Sequence, residues 1–220
     1  ADGSLVWAAS EPLERALTSA NVDPTLDDGV LVVADSKGYV RAYNMKTGES
    51  KWKTYIGAPN FPLAATTIDP SSRTVIVGMF YMFASGIEKE LQLDEATGKI
   101  LWSKGPFKSG ITSSGGSTST AAIYEGNVYF GAQDGKIRCL RMSDGKELWS
   151  YPTGNSIGGA ITVGTNGLVY AGSHDGYFRA LKASDGTLVW QYECGIYEGD
   201  SVYGCALDES RGLVIVPQAN

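Results

Sequence analysis

The chain has 220 residues, 43% hydrophobic and 19% charged, with 18 Lys plus Arg against 24 Asp plus Glu for a net charge of −6. That is enough apolar material for one core and too ordinary a mix for disorder, and an acidic chain with no basic run is a poor match to phosphate backbones, which excludes nucleic acid as a partner class. The longest apolar stretches, such as 29–34 and 213–217, fall far short of the ~20 residues of a transmembrane helix.

Gly makes up 28 of 220 residues, about 13% against a usual ~7%, which predicts many tight turns and short strands. The chain opens on Ala1-Asp2-Gly3-Ser4, which lacks the layout of a signal segment, so any targeting segment is already removed or was never present. Asp2-Gly3-Ser4-Leu5-Val6-Trp7 reads as the fourth strand of a four-stranded unit. A long segment, 8–30, follows; Glu11-Pro12-Leu13-Glu14-Arg15-Ala16-Leu17 within it suits one helical turn or a plain loop. The opening phrase then returns as Thr47-Gly48-Glu49-Ser50-Lys51-Trp52 and as Thr97-Gly98-Lys99-Ile100-Leu101-Trp102. It returns again as Asp144-Gly145-Lys146-Glu147-Leu148-Trp149 and Asp185-Gly186-Thr187-Leu188-Val189-Trp190. All five tryptophans occupy one place in one phrase, at spacings of 45, 50, 47 and 41.

A period of that length built from short strands predicts an all-β chain, a β-propeller of four-stranded antiparallel blades. The unit is plainest near the C-terminus. Small residues from Ser156 to Thr162 form the first strand and Leu168–Gly172 the second. His174-Asp175-Gly176 makes a tight hairpin, with Gly supplying the left-handed backbone. Tyr177–Lys182 alternates as the third strand, and the turn at Ser184-Asp185-Gly186 leads to a fourth that ends on Trp190. The Trp is expected to cover the gap between blades, burying its ring and giving its N–H to a carbonyl. Trp7, Trp52, Trp102, Trp149 and Trp190 are therefore read as structural. The chain ends on 201–207 and 213–217, the first two strands of a further unit. Residues 1–220 are thus expected to form one domain of four complete blades with partial blades at both ends. They make either an arc of a larger ring or a five-bladed ring closed by the two ends. The arc is preferred, because a cut inside one blade leaves two unpaired edges.

The phrase G-x-V-x-A-x-D-x-x-T-G-x-x-x-W resembles the repeat of the pyrroloquinoline-quinone (PQQ)-like β-propeller superfamily. Gly38 through Trp52 matches it nearly throughout, with Asn44 in place of Asp. The next unit keeps Asp94 and has Glu88 for Gly; Gly135 through Trp149 has Cys139 for Ala and Arg141 for Asp; Gly176 through Trp190 keeps Ala180 and has Lys182 for Asp. The resemblance implies a ring of seven or eight blades and an extracytoplasmic location: periplasmic, secreted or in an organelle lumen. It also implies three functional classes: quinoprotein dehydrogenases that bind PQQ and usually calcium on the axis, outer-membrane assembly propellers that bind proteins, and propellers attached to larger proteins.

The dehydrogenase apparatus is thin in this sequence. Large quinoprotein dehydrogenases carry a vicinal Cys pair, whereas Cys139, Cys194 and Cys205 stand apart. Only Asn220, after Gln218-Ala219, carries over toward a calcium ligand, and a turn residue is the plainer reading. The single histidine, His174, sits in a hairpin, which leaves no His cluster for a metal and no partner for a Ser–His triad. The serine-rich stretch from Gly110 to Gly116 leads into a strand, so it lacks the helix N-terminus of a phosphate cradle. Cys194 and Cys205 fall in adjacent blades, which leaves a disulfide and two separately buried thiols both open.

One unit departs from its own repeat. From Gly78 to Glu88 is ten positions, where Gly131 to Gly135 is four. The insertion carries Met79, Phe80, Tyr81, Met82 and Phe83, an apolar set that suits a projecting contact hairpin, or else a longer strand packed on a neighbour. The sequence thus points to a non-catalytic scaffold that engages a protein partner or the remainder of a larger chain, with no cofactor. The alternative is a fragment of a PQQ-dependent alcohol or sugar dehydrogenase, with PQQ and calcium as cofactors.

Overall fold

A computed structural model describes residues 4–8, 19–25, 28–57, 65–81, 87–108, 119–194 and 204–217. Alternating apolar residues make short strands that meet in meanders. The first blade is β1 (Asn21–Asp23), β2 (Val30–Ala34), β3 (Tyr39–Asn44) and β4 (Ser50–Tyr55). The second is β5 (Thr67–Asp69), β6 (Thr74–Tyr81), β7 (Ile87–Asp94) and β8 (Ile100–Lys108). The third is β9 (Ala122–Tyr124), β10 (Asn127–Gly131), β11 (Lys136–Arg141) and β12 (Glu147–Pro152). The fourth is β13 (Thr162–Val163), β14 (Leu168–Gly172), β15 (Tyr177–Lys182) and β16 (Leu188–Glu193). A fifth sheet has two strands, β17 (Ala206–Asp208) and β18 (Leu213–Ile215). Every four-stranded sheet is antiparallel and ordered as in sequence. The chain is a β-propeller arc.

The core lies between blades, and the two-residue period of a strand puts it there. On β6, Val75 and Val77 face the first blade while Ile76 faces the third. On β10, Val128 and Phe130 face the second blade and Tyr129 the fourth. The second and third blades, with neighbours on both sides, bury apolar residues on both faces.

The tryptophans join these layers. Trp52 stands opposite Ala42, Trp102 opposite Gln92, Trp149 opposite Cys139 and Trp190 opposite Ala180. The pairing slips by a bulge immediately beyond each one. A bulge increases the local twist and re-aims a side chain, here toward the following blade. The Trp7 N–H donates to the Met45 carbonyl at 2.8 Å, Trp52 to Glu95 at 2.7 Å, Trp102 to Met142 at 2.8 Å and Trp149 to Ala183 at 2.9 Å. The acceptor is always three residues before a turn glycine, and the ring lies over that glycine. A Cβ built on Gly48, Gly98, Gly145 or Gly186 would stand 2.3–2.9 Å from the Trp ring that covers it. These glycines are left-handed, with φ of 65° to 73°. Asx and Thr side chains cap the same turns: Asn44 accepts from the Thr47 amide at 3.0 Å, and Asp94 from the Thr97 amide at 2.8 Å.

Three expectations change. Residues 156–161 are not strand; β13 is only Thr162–Val163, because 153–157 is bonded instead to the hairpin turns of two blades. Residues 4–8 carry no strand, although Trp7 is docked. Trp52 and Trp102 are 8% exposed and Trp149 is half-buried, but Trp190 is 36% exposed, since no turn glycine lies over it among the described residues.

Gly98→Ala and Gly126→Ala separate the two demands on a turn glycine. Both positions are left-handed, but a Cβ at Gly98 meets Trp52 at 2.5 Å and one at Gly126 meets nothing within 4 Å. Urea titration is expected to show a loss of roughly 1–2 kcal/mol for Gly126→Ala from backbone strain alone. For Gly98→Ala a further ~1–3 kcal/mol of overpacking is expected. Equal losses would show that the indole does not bear on the turn.

Candidate functional site

Hairpins between the second and third strands, and the links from each fourth strand to the next blade, share one end of the arc. Polar side chains gather there and are consumed internally. Arg41 gives its Nε to Asp35 at 2.9 Å. Arg138 makes a two-pronged pair with Asp134, and Arg179 one with Asp175 at 2.9 and 2.7 Å. The guanidiniums lie over rings at 5.6 Å (Arg41 on Tyr39), 4.2 Å (Arg138 on Phe107) and 5.2 Å (Arg179 on Tyr177). All three arginines are buried. Burial opposes ionisation of Asp175, and the Arg179 guanidinium with the Gly154 and Tyr177 amides outweighs it, holding this carboxyl below its ordinary range. Sequence reasoning passed over this device, although Asp-Gly-x-x-Arg stands at 134–138 and again at 175–179. The second blade has no such pair among the described residues and has a longer hairpin.

That longer hairpin answers one sequence expectation. The extra residues lengthen β6 to 8 residues, β7 to 8 and β8 to 9, with Met79 paired to Lys89, Phe80 to Glu88 and Tyr81 to Ile87. Met79 is 3% exposed and belongs to the core between the first two blades, so it is not part of a projecting patch. Sheet register is kept because both partner strands grow together. Phe80 and Tyr81 continue β6; Met82 and Phe83 lie outside the described residues. So do Asn220, the stretch from Gly110 to Gly116, and Glu11 to Leu17.

His174 is half-buried with no partner on Nε2 among the described residues, and burial lowers its pKa, so it stands neutral at pH 7. Cys139 is fully buried opposite Trp149, and burial pushes its thiol up to about 11. Cys194 and Cys205 are not joined by a disulfide and pack in one apolar cluster with Phe178, Val214 and Val216. No group of three or more His, Cys, Asp or Glu side chains is placed to hold a metal among the described residues. No helix among them is long and apolar enough to cross a membrane.

The exposed apolar surface is elsewhere. On β16, Leu188, Val189, Trp190 and Tyr192 are exposed, and Leu213 and Ile215 join them on β18. A groove of about 420 Å³ runs between the two strands, floored by Phe178, Trp190, Tyr192, Val214 and Val216. Two further crevices open between blades at the opposite end of the arc. One, about 940 Å³, includes Asp69, Gly126 and Met142; the other, about 400 Å³, includes Tyr124, Gly167 and Ala183.

Asp175→Asn should lower stability by about 3 kcal/mol at pH 7, because it leaves the Arg179 charge buried without its counter-charge. Asp175 has a lowered pKa in the folded chain, so its contribution is present above the ordinary Asp range and is lost as pH falls through the lowered value. The gap between wild type and variant in urea titration should therefore narrow on acidification below pH 4; a gap independent of pH contradicts the pairing.

The family model described as outer membrane protein assembly factor BamB matches residues 1–92 and again 88–200. The chain is 27% identical over 166 residues to the outer membrane protein assembly factor BamB of Moranella endobia, covering 70% of this chain and 38% of that protein. It is 37% identical over 83 residues to the dehydrogenase subunit of a quinone-type alcohol dehydrogenase of Gluconobacter oxydans, covering 36% of this chain and 11% of that one. The chain thus spans less than two fifths of either relative. Among solved structures, BamB of Moraxella catarrhalis superposes with a TM-score of 0.62 at 21% identity, over 89% of this chain and 60% of that one. The computationally designed Ika8 protein superposes at 0.65 and 17% identity, over 90% and 57%. At those identities the superpositions speak for the fold. The two overlapping matches of one family model follow from the repeat itself, and the chain belongs to the PQQ-like repeat β-propeller family described by the outer membrane protein assembly factor BamB.

Proposed function

We propose that this chain is a non-catalytic propeller scaffold that engages a protein partner in an extracytoplasmic compartment. The family likeness carries the reading; the apolar face of β16 and β18, with Trp190 at 36%, Tyr192 at 64% and Ile215 at 57% exposure, supports it as the place where the two-stranded fifth sheet leaves the fourth blade open to a protein partner or to the remainder of a larger chain. Large aromatic and aliphatic side chains in water are unfavourable at ~25 cal/mol per Å² and mark contact surfaces. The buried arginines of the hairpin end support it from the other side, since their charge is spent on Asp35, Asp134 and Asp175. Likeness to BamB over 70% of the chain agrees with a scaffold. The rival is part of a PQQ-dependent dehydrogenase, supported by the 37% identity to a quinone-type alcohol dehydrogenase over 83 residues.

Two measurements on the purified chain separate them. Titration with PQQ and calcium is expected to give no bound-quinone absorption band and no alcohol-dependent dye reduction. A chemical cross-linker placed at the neighbouring Gln191 is expected to trap a discrete complex in a native envelope extract, and Tyr192→Ser with Ile215→Ser should reduce it tenfold or more with folding unchanged. A quinone band with dye reduction, or a complex indifferent to the double substitution, would overturn the reading.

A further inference from the structure

The joint between the first two blades differs from the next two in two residues at once. The turn between first and second strands has a left-handed residue whose carbonyl accepts an amide from the following turn: Gly29 from Met45, Gly126 from Met142 and Gly167 from Ala183. In the second blade this place is taken by Arg73, at φ 56°, and its amide donor is Glu95. An arginine in left-handed backbone carries a strain that glycine does not. Its guanidinium reaches back to the first blade, 3.2 Å from Asp23 Oδ2 and 3.7 Å from Glu95 Oε2. The other two joints open into the crevices beside Gly126 and Gly167; in this one Asp23, Arg73 and Glu95 come together as a charged plug.

The charges in the plug do not balance. Asp23 is 0% exposed and Glu95 1%, and one half-exposed guanidinium serves both. Asp23 has in addition the Thr25 amide at 2.8 Å, whereas neither carboxyl oxygen of Glu95 has a hydrogen-bond donor among the described residues. A second buried negative charge beside the first is unfavourable, so the pair holds a proton, and Glu95 is where it sits. The main chain of Glu95 is also the acceptor of the Trp52 indole. Protonation of this side chain is thereby joined to the docking that binds the first blade to the second.

We propose that Asp23, Arg73 and Glu95 form a proton-operated latch between the first two blades, closed with Glu95 protonated and loosened when it ionises. The groups facing Glu95 are Asp23 from β1, Arg73 from the turn between β5 and β6, and Asp94 from the end of β7, among the described residues. Burial, then the Asp23 charge, and to a lesser degree Asp94 push the Glu95 carboxyl up to about 7, against the opposing pull of Arg73. At Asp23 burial is outweighed by the Thr25 hydroxyl and amide, by Glu95 and by Arg73, so this carboxyl stays below its ordinary value and ionised. Because the folded pKa of Glu95 is raised, the unfolded chain ionises first. Stability therefore falls as pH rises from about 4.5 to about 7 and is level beyond. His174 titrates in the opposite sense, and its contribution cancels in the difference between wild type and Glu95→Gln.

The test is a carboxyl-carbon NMR titration of the uniformly ¹³C-labelled chain, with urea unfolding from pH 5.5 to 8.5 beside it. The Glu95 carboxyl should titrate near 7, and the Trp52 indole N–H resonance should move with the same midpoint. The unfolding constant of wild type should rise about thirtyfold more across that range than that of Glu95→Gln. Should Glu95→Gln fail to fold, Arg73→Gly installs the residue of the other joints; loss of the guanidinium should move the Glu95 midpoint upward. A Glu95 carboxyl titrating near 4.5, identical pH dependence in wild type and Glu95→Gln, or a midpoint unmoved by Arg73→Gly would each overturn the latch.

Discussion

The arc depends on one contact made four times, an indole laid over the left-handed glycine of the next blade with its N–H on a carbonyl three residues earlier. A blade presents apolar faces on both sides and cannot be stable alone. Packing of flat sheets is adaptable in register, and something has to set where one blade stops sliding on the next. A ring that fits only over a glycine, together with a directional hydrogen bond, supplies that constraint. The bulge beyond each Trp and the capped turn under it both serve the same geometry.

This contact was legible because every part of it is written in one short phrase: a residue that tolerates left-handed backbone, a capping Thr or Asp, and a Trp four residues past the glycine. Strand pairing inside the fourth blade was legible for the same reason, with β14 and β15 falling where alternation and the Asp175-Gly176 hairpin put them. What was not legible depends on contacts between distant units. The stretch from Ser156 to Ile161 has strand-like residues but gives its backbone to two neighbouring hairpins, the Ile157 amide to Ala132 and the Ser156 carbonyl to the His174 amide. Met79 sits in an apolar insertion that local reasoning places outside the sheet, yet β6, β7 and β8 lengthen together and keep it in the core. The plug at the first joint needs Asp23, Arg73 and Glu95 from three segments, which no window of sequence brings together.

Variation between joints then has a physical meaning. The docking is constant, whereas a crevice lies beside it where Gly126 meets Met142 and Gly167 meets Ala183, and charged side chains gather where Arg73 meets Glu95. Hairpins likewise carry an internal Arg–Asp pair in three blades and a longer ladder in the second. A repeat fold keeps the element that sets spacing and is free to alter the surfaces around it. On β16 and β18, where Trp190 has no turn glycine over it among the described residues, that surface is apolar.

The central claim is that docking, more than the bulk of the ring, makes these tryptophans stabilising. It is tested most directly by comparing Trp102→Ala with Trp190→Ala in urea unfolding of the same chain. Trp102 is 8% exposed with its N–H on Met142, and Trp190 is 36% exposed and undocked among the described residues. The account predicts a loss of roughly 3–5 kcal/mol for Trp102→Ala, as for large aromatics removed from cores, and about 1 kcal/mol for Trp190→Ala. Equal losses at the two positions would contradict it.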